Sequence, residues 1–469
     1  MWVTTGPTVE LASSSSGSPT FTLFTHNLSH KIKGLNSPLT WGYSGFPQTN
    51  GLVTTTTYNY MKTPVRFLLF NFLNAQLLKE KLAKFYYNGK ANQMKFIVEQ
   101  SALADCVNWV SRSLSNRPIK TELLGIVIDA TGSNVELSGS DLETSSKANF
   151  AAQIIEAGKV LVPGKLLVEI TRSLPNKPIT ITLDGTRVLV TSGSAKFTLP
   201  TLLINEYPDL PELPESTGVI ASDTFATAVA QVAIAAGRDD SLPTLTGVHV
   251  EVNENTVTLA ATDRYRLAVR EMQWQPSKPG VETTALLRAR TLADAAKSLT
   301  TSKEVSLSLG SAATHDRLAG FAGEGKTMTS RMLDGTFPPY RHLLPQEITT
   351  TAVVEVAPFL DSVRRVALVT DKTVPLRLEF TNGSLSLEAG AGEEAQATES
   401  IEISLTGEDI SIAFNPVFLA DGLNAVGTPY VQISFTGSNK PAILMGRTTQ
   451  DGAAIENYRY LLMPMRYAS

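Results

Sequence analysis

The sequence has a single cysteine, Cys106, among 469 residues, which rules out an intrachain disulfide and fits a reducing cytosol. That cysteine falls on the apolar stripe of a predicted helix, a place for a small buried hydrophobe rather than a nucleophile. Histidine is also scarce. Only His249, His315 and His342 lie beyond residue 93, and none stands with Cys, Asp or Glu at the spacing of a metal site, so neither a metal nor a cofactor is expected. No apolar run approaches the ~20 residues of a membrane helix. The most apolar one, Phe67 to Leu78, is broken by Asn71, Asn74 and Gln76, and the chain start lacks the basic-then-apolar order of a secretory signal. A cytoplasmic protein without membrane attachment is expected. Neither a G-x-S-x-G elbow nor a pair of catalytic carboxylates is present, so nothing argues for an enzyme.

Positive charge is short where a nucleic-acid binder would need it. Residues 1–93 carry eight Lys/Arg and two Asp/Glu, leaving 32 basic and 42 acidic residues, a balance of −10, for the rest. An acidic protein does not usually hold DNA by neutralising phosphates, so a DNA role must rest on local basic patches or on topology. Residues 1–60 are rich in Ser, Thr, Gly and Asn without a sustained period, and Thr63 to Tyr87 fits a weakly amphipathic helix. Met94-Lys-Phe-Ile-Val-Glu then looks like a natural chain start opening a strand. The expectation is that 1–93 is upstream sequence or a dispensable tail; a partner-binding arm is the other reading.

From Met94 onward the pattern repeats. Two alternating strands at Leu124–Ala130 and Asn134–Asp141 recur at Leu245–Val252 with Asn255–Asp263, and at Leu376–Phe380 with Gly383–Ala389. The spacing is roughly 120–130 residues, and self-similarity at a fixed period signals a repeated unit. A helix precedes each hairpin: Leu103, Val107, Val110 and Leu114 mark the first, and Phe225, Val229, Val232 and Ala236, with Ser222 as N-cap, the second. Phe359, Leu360, Val363 and Val366 mark the third. Further helices are predicted at Lys165–Leu174, Thr291–Leu299 and Pro416–Val426. Each third thus holds two helices and about eight strands, giving six half-units. The fold class is α+β: three repeated domains, each with two helices on antiparallel sheets, at 94–215, 216–345 and 346–469 behind the 1–93 extension. Arg112, Lys165, Arg172, Lys297, Arg364 and Arg365 lie in or beside these helices, mixed with acidic residues. They form either a functional surface or ordinary solvated helix faces.

One match resembles a phosphate-binding loop. Gly320-Phe-Ala-Gly-Glu-Gly325-Lys326-Thr327 fits G-x-x-x-x-G-K-[ST], which works only between a strand and a helix whose N-terminal amides face the phosphates. Thr327–Leu333 reads as a second strand, so the match belongs to a hairpin turn, as does Gly390-Ala-Gly392. A nucleotide hydrolase is therefore the weaker rival, and a repeat scaffold without a DNA role is another.

Three segments are more specific. They are Thr262-Asp-Arg-Tyr-Arg-Leu-Ala-Val269, Asp334-Gly-Thr-Phe-Pro-Pro-Tyr-Arg-His-Leu-Leu-Pro345 and the terminal Tyr460-Leu-Leu-Met-Pro-Met-Arg-Tyr467. Together with Tyr207-Pro-Asp-Leu-Pro211 they resemble the bacterial sliding clamp family, with its T-D-[GR]-[HY]-R-[LM]-A, D-G-x-F-P-x-Y and M-P-M-R marks, in order across 94–469. The resemblance implies a head-to-tail homodimer closed into a ring, with helices lining the hole and sheets outside. It encircles double-stranded DNA, reads no bases and confers processivity. Candidate DNA-facing residues are the six basic helix residues with Arg117 and Arg238. Candidate interface residues are Phe197 and Leu199, on an edge strand, against Leu368; the weaker alternative packs Phe197 in its own domain. Implied partners are the DNA polymerase III alpha subunit, the clamp loader, and other polymerases and repair proteins carrying short linear motifs.

The resemblance also implies one pocket for those motifs between the second and third domains. From the second domain and the link it would take Leu242, Leu245, Thr262, Arg264, Tyr265, Arg266, Leu267, Pro338, His342 and Leu343. From the third it would take Asn415, Phe418, Leu461, Leu462, Met463, Pro464, Met465 and Arg466. Flexible methionines in an apolar groove suit partners that share little but a short hydrophobic motif. Arg264 and Tyr265 stand where a Gly-His pair is commoner, and Leu242 and His342 stand where Arg is often found.

Overall fold

The computed structural model describes residues 93–466, except 116, 311–316, 346, 370–373 and 391–394. The expectations for residues 1–92 lie outside the described residues, as does most of the turn after Gly390. Within them one unit occurs six times: an opening strand, a helix, and a three-strand meander. The helices are α1 (Gln100–Ser111), α2 (Gly164–Ser173), α3 (Ser222–Ala233), α4 (Ala289–Ser298), α5 (Val356–Val366) and α6 (Pro416–Val426). They pack in pairs, α1 on α2, α3 on α4 and α5 on α6. The apolar stripes explain the pairing, since Leu103, Val107 and Val110, then Phe225, Val229 and Val232, then Phe359, Val363 and Val366 are all buried.

Among the described residues each third has nine strands where about eight were expected. The difference is one short strand per third (Gln153–Glu156, Gln275–Pro276 and Ser404–Thr406) paired with that domain's opening strand. Such short strands carry too few alternating residues to register as a period. Ser222 is not an N-cap: it is the first residue of α3, Ala221 is the cap, and the Ser222 hydroxyl donates to the Ser302 carbonyl.

The four sheets show how the domains join. The last strand of domain one's first half-unit, Thr144–Phe150, pairs antiparallel with the last strand of domain two, Lys326–Arg331. By the same rule Arg266–Gln273 of domain two pairs with Ile455–Leu462 of domain three, placing Arg266 opposite Leu462 and Arg270 opposite Tyr458. Each pairing fuses two half-units into a nine-stranded sheet. The two remaining strands of this class, Ala195–Pro200 and Ala397–Glu402, are edges of the five- and four-stranded sheets.

The Gly320–Thr327 segment is the hairpin its sequence suggested. Leu318–Gly323 and Lys326–Arg331 pair across a two-residue turn, Glu324 (φ +45°) and Gly325 (φ +76°), both left-handed as a tight hairpin requires. Lys326 is buried and its ammonium meets Asp105 of α1 at 2.6 Å, tying domain two to domain one. Gly320 has no side chain because Leu213 of the interdomain link lies where its Cβ would be. Cys106, beside Asp105, is buried, and burial pushes its thiol up to about 11, so it is unreactive at neutral pH.

Candidate functional site

The site is built on the hairpin turn Thr262–Arg266. The Asp263 carboxylate accepts from the backbone N–H groups of Tyr265 and Arg266, each at 3.0 Å. The Thr262 hydroxyl donates to the Arg266 carbonyl at 2.7 Å and accepts from the Arg264 N–H at 3.2 Å. This knot holds Arg264 at φ +81°, a left-handed conformation that suits the glycine commoner at this position.

Arg266, next along, is the electrostatic centre. Only 5% of its surface is exposed, yet its Nε donates to Asp263 at 2.9 Å and its Nη1 to Asp421 of α6 at 2.7 Å. The same Nη1 lies 3.4 Å from the Tyr460 hydroxyl, and the guanidinium sits 4.3 Å over the Phe418 ring. Burial by itself would lower the guanidinium pKa, but Tyr460, Asp421 and Asp263 hold it above the ordinary arginine value. Gly422 lets α6 approach this closely, because a Cβ there would lie 2.5 Å from the Tyr460 ring.

Above this centre opens a cleft of about 320 Å³ between domains two and three. Of the expected pocket residues it brings together Leu242, Leu245, Arg264, Tyr265, Arg266 and Phe418. Tyr265 stacks on Phe418 with ring centres 6.3 Å apart, and Leu242, Tyr265 and Val417 present exposed apolar surface. Asn415 supports the wall as the N-cap of α6, accepting from the N–H groups of Val417 and Phe418. The terminal segment is anchored beside the turn: the Met463 N–H donates to the Tyr265 carbonyl at 2.9 Å and the Met465 N–H to Ala413 at 2.8 Å. Met463 and Arg466 are exposed, and Pro464 and Met465 are half-buried.

Other expected residues go elsewhere. Leu267, Leu461 and Leu462 are fully or nearly buried in the core and are not among the residues lining this cleft. Thr262 is buried and occupied by the turn. Pro338 and His342 line a separate cleft of about 360 Å³ with Phe337 and His249, whose imidazole stacks on Phe337 at 5.2 Å. His249 is on the outward face of its strand, where the Pro-rich link covers it. Leu343 is exposed. Arg238, expected on the DNA side, lines the Arg266 cleft, because the chain turns away after α3 ends at Ala233. Ala236, Gly237, Asp239, Asp263, Val417 and Asp421 line the cleft and were missed. Asp421 is three residues from Phe418, and helical spacing would have put both on one face.

The remaining basic residues divide into two sets. Arg112 pairs with Asp294 at 3.3 Å across domains one and two, Arg172 donates to Asn108, Arg364 lies 3.7 Å from Asp361, and Arg365 pairs with Glu399 on the edge strand. Arg117, Lys165 and Lys297 are exposed without a carboxylate in reach among the described residues. Of the interface candidates, Leu368 is 83% exposed, Phe197 is half-buried, and Leu199 is 0% exposed. Leu199 has no surface left to give a partner, since the edge strand turns that position into its own core.

The sequence matches models of the DNA polymerase III beta subunit N-terminal domain over residues 94–211, its central domain over 219–339 and its C-terminal domain over 341–466. The chain belongs to the DNA polymerase III beta subunit family. It is 50% identical over 373 residues to the beta sliding clamp of Streptomyces coelicolor, covering 80% of this chain and 99% of that one. It is 42% identical to the beta sliding clamp homolog GriR of Streptomyces muensis, over 80% of this chain and all of that one. The solved sliding clamp of Bacillus subtilis superposes with a TM-score of 0.72 at 25% identity, covering 80% of this chain and 100% of that one. A Pseudomonas aeruginosa clamp solved with bound griselimycin gives 0.72 at 27%, with the same coverage. The protein is thus a non-catalytic sliding clamp, a processivity subunit of DNA polymerase III.

Proposed function

We propose that two copies close head to tail into a ring around duplex DNA, and that the Arg266 cleft receives short linear motifs. Those motifs belong to the DNA polymerase III alpha subunit, the clamp loader, and other polymerases and repair proteins. One observation carries the ring. Twice within the chain the last strand of a first half-unit pairs with the last strand of the next domain's second half-unit, and among the described residues only Ala195–Pro200 and Ala397–Glu402 are left over. Pairing these between copies extends the same rule and hides two open sheet edges. Leu368 then meets Phe197.

In the closed ring the helices line the hole, with Arg117, Lys165 and Lys297 reaching phosphates and the paired arginines contributing more weakly. Helices lying across the backbones read no bases, and retention by topology removes the need for tight contacts in a protein with excess acid. The cleft suits a partner with an apolar anchor, set against Leu242, Tyr265 and Val417. Such a protein works in the cytoplasm, on the nucleoid.

The test is retention on circular DNA. Loaded clamp should stay on closed circles at salt that abolishes simple phosphate binding, and leave when the circle is cut. Leu368→Asp would bury an unpaired charge at the interface, costing several kcal/mol, and should sediment as monomer. Equal loss from circles and linear DNA would overturn the ring.

A further inference from the structure

The turn that builds the Arg266 cleft is made a second time, at the junction of domains one and two. The Ser140 hydroxyl donates to the Thr144 carbonyl and accepts from the Leu142 N–H, each at 3.0 Å, as Thr262 does for Arg266 and Arg264. Asp141 accepts from the N–H groups of Glu143 at 3.0 Å and Thr144 at 2.7 Å, as Asp263 does for its turn. Leu142 has φ +77°, matching Arg264, and the Arg331 N–H donates to the Glu143 carbonyl at 2.9 Å where Met463 meets Tyr265. Beside this turn lies a larger cleft, about 870 Å³, closed on the far side by the Pro208–Glu212 link.

Its chemistry is different. Leu142, 45% exposed, replaces Arg264, and Glu143 replaces Tyr265. Four carboxylates line it: Glu143, Asp209, Glu212 and Asp334. Arg317 takes Asp334, and Arg331 gives its Nε to the Leu142 carbonyl at 3.3 Å and keeps its charge, so four carboxylates face two guanidinium groups. Glu143, Asp209 and Glu212 are exposed and have no basic partner among the described residues.

We infer that this cleft is a second docking site, for a short segment of a partner protein in which an apolar anchor is flanked by lysine or arginine. The anchor packs on Leu142 and Met332, and the flanking cations meet the three free carboxylates. The repeated turn supplies the geometry, and the acid excess selects the ligand and rejects DNA. Only the expectation of an extended peptide rests on the reading of the Arg266 cleft.

The test titrates fluorescein-labelled Arg-Lys-Leu-Leu-Lys-Arg against the full-length clamp at low salt. A second peptide carries serines in place of its leucines. The combined variant Glu143→Gln, Asp209→Asn, Glu212→Gln should bind the leucine peptide about tenfold more weakly at unchanged oligomer mass. The serine peptide should also lose affinity, and Leu242→Asp, in the other cleft, should change nothing. No binding to the wild type, or equal binding to the neutralised variant, overturns the inference. Equal affinity for the serine peptide does so too. Loss with Leu242→Asp alone would place the peptide in the Arg266 cleft, overturning this inference while leaving that reading intact. If a polymerase-derived peptide ignores Leu242→Asp while the basic peptide still needs the carboxylates, the failure belongs to the other cleft alone.

Discussion

Replacing Arg266 with alanine tests whether the cleft depends on a buried cation. The guanidinium bond to Asp263 at 2.9 Å is charge-assisted and nearly desolvated, so its loss costs about 2 kcal/mol. The bond to Asp421 at 2.7 Å is shorter, but 36% of the Asp421 side chain is exposed and water replaces the arginine. Its share is discounted to about 0.5–1 kcal/mol, the range of an exposed pair. Stacking at 4.3 Å on Phe418 adds about 0.5–1 kcal/mol. The sum, about 3–4 kcal/mol, agrees with the usual cost of removing one partner of a buried pair. Urea unfolding followed by tryptophan fluorescence is the assay, since Trp274 follows the strand that carries Arg266. A double-mutant cycle with Asp421→Ala should give a coupling of about 1 kcal/mol. Destabilisation below about 1 kcal/mol, or a coupling near zero, would refute the reasoning.

The Lys326–Asp105 pair should respond weakly from either side. The Asp105 side chain is 60% exposed, so water takes its place at the ammonium and Asp105→Ala should cost about 0.5–1 kcal/mol, while Lys326→Met keeps the packing and should cost under about 1 kcal/mol. ATP titration should show no binding to either variant or to the wild type. Burial pulls the His249 pKa below its ordinary 6.5, while Glu251 opposes this and Arg341 adds to it. The unfolded chain therefore takes up the proton first, so stability is lost as pH falls from about 6.5 toward the lower folded value. Thermal melts should show this slope in the wild type and a shallower one in His249→Gln. Gly422→Ala drives a methyl into the Tyr460 ring, and should lower stability by about 1–3 kcal/mol and weaken motif-peptide binding, measured by fluorescence anisotropy.

Much of the architecture was legible in the residues. Alternation and helical spacing are local properties, so the hairpins, the helices and the roughly 120-residue recurrence could be read without coordinates. The hairpin character of Gly320–Thr327 was legible too, because a strand pattern follows where a phosphate-binding loop needs a helix. Motif resemblance located the Thr262–Leu267 turn and the terminal Met463–Arg466 segment. It could not separate the residues that face the cleft from those that hold it up. Leu267, Leu461 and Leu462 share a segment with cleft residues yet lie in the core, because their strands are covered on both faces: Leu267 and Leu461 pack with Phe337 and Tyr340, and Leu462 packs in the main core. Leu199 read as an edge residue, but its strand's alternation buries it while Leu368 stays bare.

What the sequence alone determined was the repeated unit and the apolar face of each element, since both depend on residues a few positions apart. Only the tertiary structure decided which strands meet across domains, that Arg266 is held by Asp421 155 residues away, and that Arg238 belongs to a cleft. A side chain's partner across a domain junction is set by sheet register and helix approach. Neither leaves a periodic trace in the chain.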